Sequence, residues 1–341
     1  MRSIETQILR ALASSEKSLW ELLNTSHYLL ADLIKALNNL YNEGLIGTDG
    51  HKIFLTENGK ARVSSKKLEL TSEVCRRCNG RAIEVTGKFN ELLEDYRRIV
   101  KDRPKPVLNY FQGYMGEYDV VARVSLMNYY GDLADQDFIL IGDDDLLSVA
   151  LSLTEAVNRV VVLDIDTRIG EFIKKVNRDY GFSIEFIRYD VADPLPKQLI
   201  GKFDVFSSEP LETLSGLKAF IVRGVSCLKD NGVGYFGLTT AEASLKKWIS
   251  IERMLTRMGC VITDIIRNFS HYDMKYETIN YESFVQKIMF PVDENPGIAW
   301  YKSALFRFEV LGKPKPTIDP ERKIKIRFFD PDEDVTYPSR M

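Results

Sequence analysis

Residues 137–157 read DFILIGDDDLLSVALSLTEAV. Five residues ending in an apolar run lead into a glycine. Three consecutive carboxylates follow, Asp143, Asp144 and Asp145, and then apolar residues at helical spacing. The stretch therefore predicts a buried strand, a tight acidic loop and a helix.

The same unit recurs downstream. RVVVLDID (159–166) precedes a helical RIGEFIKKVNRDYG that ends at Gly181. SIEFIRYDV (183–191) and KFDVFSSEP (202–210) are two more strands, and TLSGLKAFIVRGVSCLK is helical. GVGYFGLT (232–239), CVITDIIRNF (260–269) and YKSALFRFEVL (301–311) complete seven strands, with helical LKKWISIERMLTRMG before the sixth. Short apolar strands alternating with helices predict a parallel sheet covered on both faces. The last two strands are joined by an irregular insert, which suggests an antiparallel final strand. The predicted fold for 106–312 is thus α/β: a class I methyltransferase-like Rossmann domain with a mostly parallel seven-stranded sheet.

In such a sheet, ligands bind at the carboxyl ends of the strands, at the switch point. Gly142 ends the first strand. Asp164 ends the second, where a carboxylate accepts from ribose hydroxyls, and Asp190 ends the third, where one can receive an adenine amino group. Either aspartate could instead cap a helix. Ser207 belongs to the fourth strand end and, with Gly142, Asp164 and Asp190, completes the expected nucleoside-binding set.

The first loop departs from a dinucleotide-binding pattern, which would bring glycine N–H groups to phosphate. Three carboxylates repel phosphate. They also repel the carboxylate of S-adenosylmethionine. Without that carboxylate the molecule is a dication, an amine plus a sulfonium, and an acidic loop selects it over its parent. One or two aspartates could serve a helix N-terminus; three in a row crowd like charges.

Glu209 and Pro210 follow the fourth strand, where adenine-modifying methyltransferases carry Asn/Asp-Pro-Pro-Tyr, and Glu212 is close by. Acids on both sides of a cleft predict a polycation, of which a polyamine is the simplest. Its amine must lose a proton before attacking carbon. For an amine of pKa about 10.4 this costs about 4.6 kcal/mol at pH 7. A neighbouring carboxylate can position the amine and take the proton. Asp144 is assigned that role, with Asp143, Asp145 and Glu209 in support. Tyr110, Phe111 and Tyr114 could wall an alkyl chain or simply pack in the core.

Residues 1–65 read as a winged helix. Ile4, Ile8, Leu9 and Leu12 share one helical face, a Ser-capped SLWELL follows, and a longer helix stops at Gly44 before an alternating wing. DNA recognition needs basic contacts. The long helix offers only Lys35 and carries Asp32, so a structural or dimerising module is the better expectation. A connector, 66–105, holds Cys75-x-x-Cys78, half a zinc ribbon with no second cysteine pair. It is a plain turn, or a site completed across a dimer or by a distant histidine. The tail, 313–341, is Pro-rich and charged, and its composition fits either a mobile segment or a flap over the site.

Composition fits a soluble protein of 341 residues with two or three domains and net charge -3. That charge gives no general pull toward nucleic acid. No run of about 18 apolar residues suggests a membrane span, and the N-terminus lacks the apolar core of a signal peptide. The expectation is a cytoplasmic protein that binds neither membrane nor nucleic acid.

With these residues in view, the chain resembles the branched-chain polyamine synthases, or N(4)-bis(aminopropyl)spermidine synthases, of thermophiles. The resemblance rests on LIGDDDLLSVALSLT, VVVLDID, YDVADPLP, FDVF and GLKAFIVRGVSCLKDNGVGYFGLT, together with the winged helix and the Cys-x-x-Cys segment. The run of three aspartates after Gly142 is its specific feature. It implies two successive aminopropyl transfers from decarboxylated S-adenosylmethionine to the central nitrogen of spermidine. It also implies release of methylthioadenosine, and a homodimer. No cofactor is expected beyond that co-substrate, and no metal ligands are assigned, although carboxylates also suit hard cations. The chain has Ser208-Glu209-Pro210-Leu211 where family members often carry Asp-Pro-Pro. Two rival expectations are a nucleic-acid methyltransferase using intact S-adenosylmethionine and a winged-helix regulator sensing a polyamine or adenosyl ligand.

Overall fold

The computed structural model describes residues 4–63, 74–277 and 279–336. The ends of the expected winged-helix and connector segments (64–73) and the last five residues of the tail lie outside the described residues.

The N-terminal unit consists of α1 (Ile4–Ser14), α2 (Leu19–Thr25), α3 (Leu30–Asn42), the β1–β2 hairpin (Ile46–Thr48 and Ile53–Leu55) and α4 (Glu57–Ala61). Ser18 opens α2 with a capping box completed by Glu21, an arrangement worth about 1 kcal/mol. Ile8, Leu9 and Leu12 of α1 pack with Leu33, Leu37 and Leu40 of α3 in a core that continues into the rest of the molecule. The polar side of α3 is in use as well. Asn38 donates to the Lys287 carbonyl at 2.9 Å and accepts from Met289 N–H at 2.9 Å. Trp20 of α2 packs against the Phe284–Trp300 pair and donates to the Asp293 carbonyl. The unit is thus seated on the insert between the last two strands.

Cys75 and Cys78 lie in a turn, the first exposed and the second half-buried. No group of three metal-ligating side chains occurs among the described residues. Within the segment read as a connector, α5 (Lys88–Val100) buries Leu92, Leu93, Tyr96 and Ile99. It packs on α6 (Glu117–Tyr130) and on α7 (Leu147–Leu153). α5 is thereby packed into the α/β body.

The seven strands are β3 (Asp137–Ile141), β4 (Arg159–Asp164), β5 (Glu185–Arg188), β6 (Phe203–Ser208), β7 (Leu228–Thr239), β8 (Cys260–His271) and β9 (Lys302–Val310). Their order is β5-β4-β3-β6-β7-β9-β8. All neighbours are parallel except β9, which runs antiparallel to β7 and to β8. The strand order reverses at β3, so the switch point lies between β3 and β6.

Alternation within strands feeds two cores. Phe138, Leu140, Val160 and Val162 face the cluster shared with α5, α6, α7 and α8 (Thr167–Tyr180). Ile139, Ile141, Val161 and Leu163 face that of α9 (Leu214–Cys227) and α10 (Leu245–Arg257). The runs Phe138–Ile141 and Val160–Leu163 are apolar at successive positions because both faces of the sheet are covered there.

The tail is a docked strap. Leu195 N–H donates to the Pro320 carbonyl and Ile324 N–H to the Ala192 carbonyl, both at 2.8 Å. Arg223, fully buried on α9, donates to the carbonyls of Pro320 and Arg322, each at 2.6 Å. These bonds hold residues 320–324 against the loop after β5 and against α9.

Candidate active site

The carboxyl ends of the central strands open into a cavity of about 390 Å³. Gly142, Asp164 and Asp190 line it at the ends of β3, β4 and the chain beyond β5. Asp144, Glu209, Glu212, Glu242 and Asp334 line it as well. That makes seven carboxylates, while no lysine, arginine or histidine of the described residues takes part in the lining.

The acidic loop is built by hydrogen bonds that divide its three aspartates. Gly142 turns the chain at φ +77°, a left-handed conformation that suits glycine. Its N–H donates to the Leu163 carbonyl at 2.8 Å. Asp143 turns inward: its carboxylate accepts from Ser148 N–H at 3.2 Å and from the Ser148 hydroxyl. Asp143 thereby caps the first turn of α7, the helix-end role open to an aspartate there. Asp145 also turns away, accepting from Met115 N–H at 2.5 Å, while its carbonyl accepts from the buried Tyr96 hydroxyl. Only Asp144 of the three lines the main cavity.

Asp164 binds backbone with both oxygens, accepting from Asp143 N–H at 2.9 Å and Asp166 N–H at 2.8 Å. Asp190 accepts from Ala192 N–H at 2.9 Å in a local turn while still lining the cavity. Ser207 sits elsewhere. It is buried beneath the loop, beside a separate cavity of about 20 Å³, and does not line the main one. β6 carries it one residue before the strand end, and its side chain points under the loop.

No local motif shows what Glu209 faces. Its carboxylate accepts from Arg123, almost wholly buried on α6, and from the Tyr272 hydroxyl at the end of β8. Glu209 is therefore paired on its protein side. Gly237 on β7 makes room for it, since a Cβ at that position would collide with the Glu209 carboxylate.

Glu242 and Asp334 lie outside any motif as well, the first beyond the end of β7 and the second on the strap. Glu242 accepts from the Tyr301 hydroxyl at 2.7 Å and from Thr336 of the strap. Glu212 accepts from Thr239 N–H at 2.6 Å. Lys247 lies behind this group, donating to the Glu212 carbonyl at 2.9 Å and pairing with Asp330 at 2.7 Å. Each residue comes from a different part of the chain, and no local motif announces the set.

Burial raises the pKa of Asp144, Asp145, Asp164, Glu212, Glu242 and Asp334, and repulsion between neighbouring carboxylates adds to it. Asp144 is pushed well above the usual carboxylate range, first by desolvation, then by the charges of Asp145, Asp164 and Asp143. Desolvation likewise lifts Asp145 to about 7, Glu242 to about 7 and Glu212 to about 8. A cation among these groups would reverse the shifts.

The apolar wall includes Tyr110 and Phe111. Phe111 lies parallel to Phe328 of the strap, ring centroids 6.2 Å apart. Tyr114 instead packs under the Arg103 guanidinium, 3.8 Å from ring centroid to cation.

Residues 91–335 match the model of the branched-chain polyamine synthase A C-terminal domain. The chain is 36% identical to the N(4)-bis(aminopropyl)spermidine synthase of Thermococcus kodakarensis, across 98% of this chain and 95% of that one. It is 39% identical to the Methanocaldococcus jannaschii protein of the same name, across 91% and 88%. Its structure superposes with a TM-score of 0.84 and 31% identity on a mutein of the Thermus thermophilus branched-chain polyamine synthase. That comparison covers 97% of this chain and 92% of the other, whose crystal contains N4-aminopropylspermidine and 5'-methylthioadenosine. Fold, acidic cavity and kinship across nearly the whole chain agree: it belongs to the branched-chain polyamine synthase family.

Proposed function

We propose that the protein is an aminopropyltransferase that moves aminopropyl groups from decarboxylated S-adenosylmethionine to the central secondary amine of spermidine. Two successive transfers give N(4)-bis(aminopropyl)spermidine, and each releases methylthioadenosine. The observation that carries this reading is the lining of the cavity: seven carboxylates and no cationic side chain among the described residues. Such a wall attracts a polyamine and a sulfonium and repels the carboxylate of intact S-adenosylmethionine. The names and bound molecules of the relatives point the same way.

In this reading the nucleoside lies along Gly142, Asp164 and Asp190. Asp144 takes the proton from the acceptor nitrogen. The freed lone pair attacks the carbon beside sulfur, the C–S bond breaks, and its electrons neutralise the sulfonium. Glu212, Glu242 and Asp334 hold the outer ammonium groups. Glu209, held by Arg123 and Tyr272, adds a fixed negative field. Beyond deprotonation, catalysis is alignment of nitrogen, carbon and sulfur. The N-terminal unit acts as a buttress for the insert and as part of a homodimer, rather than as a reader of nucleic acid. This is supported by α3 spending Asn38 on the insert. No helix among the described residues is long and apolar enough to cross a membrane, consistent with a place in the cytoplasm.

The test is to incubate the protein with spermidine and either decarboxylated or intact S-adenosylmethionine, following methylthioadenosine and branched products by mass spectrometry. Product is expected with the decarboxylated donor alone. No product with that donor sinks the proposal.

A further inference from the structure

Beneath the acidic loop lies the second cavity, about 20 Å³, lined by Arg123, Asp144, Ser207 and Glu209 among others. Two buried polar atoms in its lining residues have no hydrogen-bond partner: Nε of Arg123 and Oγ of Ser207. Both residues are at least 98% buried. Leaving such buried groups unsatisfied is costly, so an occupant is favoured. About 10–15 Å³ suffices for one water molecule, provided it has two to four polar partners.

The chemistry of the lining selects the occupant. Arg123 Nε–H requires an acceptor, and the carboxylates of Asp144 and Glu209 require donors. A metal ion or ammonium cannot accept from the guanidinium. An anion is repelled by the surrounding acids. Water accepts and donates, and it fits.

We propose that one ordered water occupies this cavity, bound by Arg123 Nε, Ser207 Oγ and the Asp144 carboxylate, and that Ser207 is a positioning residue acting on Asp144 through it. The proposal rests on the reading of Asp144 as the proton acceptor. Asp144 lines both cavities, and no other hydrogen bond to its carboxylate exists among the described residues. The water fixes the carboxylate orientation toward the acceptor nitrogen and favours its ionised form. It also supplies a proton exit. A protonated amine gives one proton to Asp144. The neutral amine then attacks, forming an N–C bond and leaving a tertiary ammonium in the first transfer and a quaternary one in the second, as the C–S bond breaks. The proton on Asp144 must leave before the next cycle, and the water is its first carrier.

The charged groups acting on Asp144 are Asp143 and Asp145 on its own loop, Asp164 at the end of β4 and Arg103 after α5; Glu209 shares both cavities with it. Ser207→Ala removes a neutral partner and leaves all of these in place.

Two measurements test the proposal. A high-resolution crystal structure of the wild-type protein should show a water within hydrogen-bond distance of Arg123 Nε and Ser207 Oγ. A cavity without one overturns it. Second, Ser207→Ala should lower kcat about 5-fold, the effect of one hydrogen bond, with little change in KM. It should raise the acid limb of the kcat/KM profile by about half a pH unit, while Ser207→Thr keeps the limb of the wild type. A wild-type profile in Ser207→Ala, or the same shift in both variants, overturns it. If Ser207→Ala is silent while Asp144→Asn is inactive, only the water fails. If Asp144→Asn turns over normally, the underlying reading fails with it.

Discussion

The backbone N–H of Asp143 donates to Oδ2 of Asp164 at 2.9 Å. The carboxylate at the end of β4 thus sets the acidic loop at the end of β3. The other Asp164 oxygen holds Asp166 N–H, so one side chain fixes two loops at the switch point. Asp164→Ala should lower stability by about 2 kcal/mol through two lost hydrogen bonds to a buried carboxyl group. It should also weaken methylthioadenosine binding. Thermal denaturation and calorimetric titration check both; unchanged nucleoside affinity would remove Asp164 from the binding site.

The acidic triplet should separate by variant. Asp144→Asn removes the proposed proton acceptor and is expected to lower kcat by about 10²–10⁴-fold, the usual range for a general base. Its Tm should hold or rise, since a crowded buried charge disappears. Asp143→Ala should instead lower Tm, because it strips two bonds from Ser148. Equal behaviour of the two variants in both assays would contradict this division.

Arg123 and Glu209 are a buried pair, and breaking one side strands the other. Arg123→Met should cost about 3–5 kcal/mol. Adding Glu209→Gln should recover part of that loss, since the stranded charge is then gone. A double-mutant cycle in urea reads the coupling; additivity would mean that the ion pair contributes nothing.

The raised acids predict a pH signature. For Asp145, Glu212 and Glu242, with values near 7, 8 and 7, the folded pKa exceeds the unfolded one. Their contribution to stability is complete below the unfolded values near 4 and declines as pH rises through about 7–8. A bound polyamine lowers these values, so binding at pH 7 should release protons and tighten toward pH 8.5. Titration calorimetry of spermidine in two buffers of different ionisation enthalpy measures the release. Zero proton release at pH 7 would show that the acids are already ionised.

Arg223 ties the strap to α9 through the carbonyls of Pro320 and Arg322. Arg223→Met should loosen residues 313–336 and raise the polyamine KM several-fold, because Asp334 and Thr336 would leave the cavity wall. Limited proteolysis should show faster cleavage in the strap. A wild-type KM with a released strap would exclude it from acceptor binding.

The sequence by itself determined the sheet and the sign of the ligand. Continuous apolar runs such as 160–163 are buried on both faces, as in a parallel sheet covered by helices. Asp143-Asp144-Asp145 after Gly142 declares an electropositive guest because like charges repel wherever the loop lies. Tertiary structure alone decided which of the three carboxylates lines the main cavity. The three aspartates are chemically identical in sequence, and only their neighbours distinguish them: Ser148 takes Asp143, Met115 takes Asp145, and Asp144 is left to the cavity. It also decided that Ser207 lies beneath the loop, that Arg123 backs Glu209, and that Glu242 and Asp334 join the wall. Those contacts span about 90 residues each, from 242 to 334 and from 123 to 209, and local periodicity holds no information across such separations.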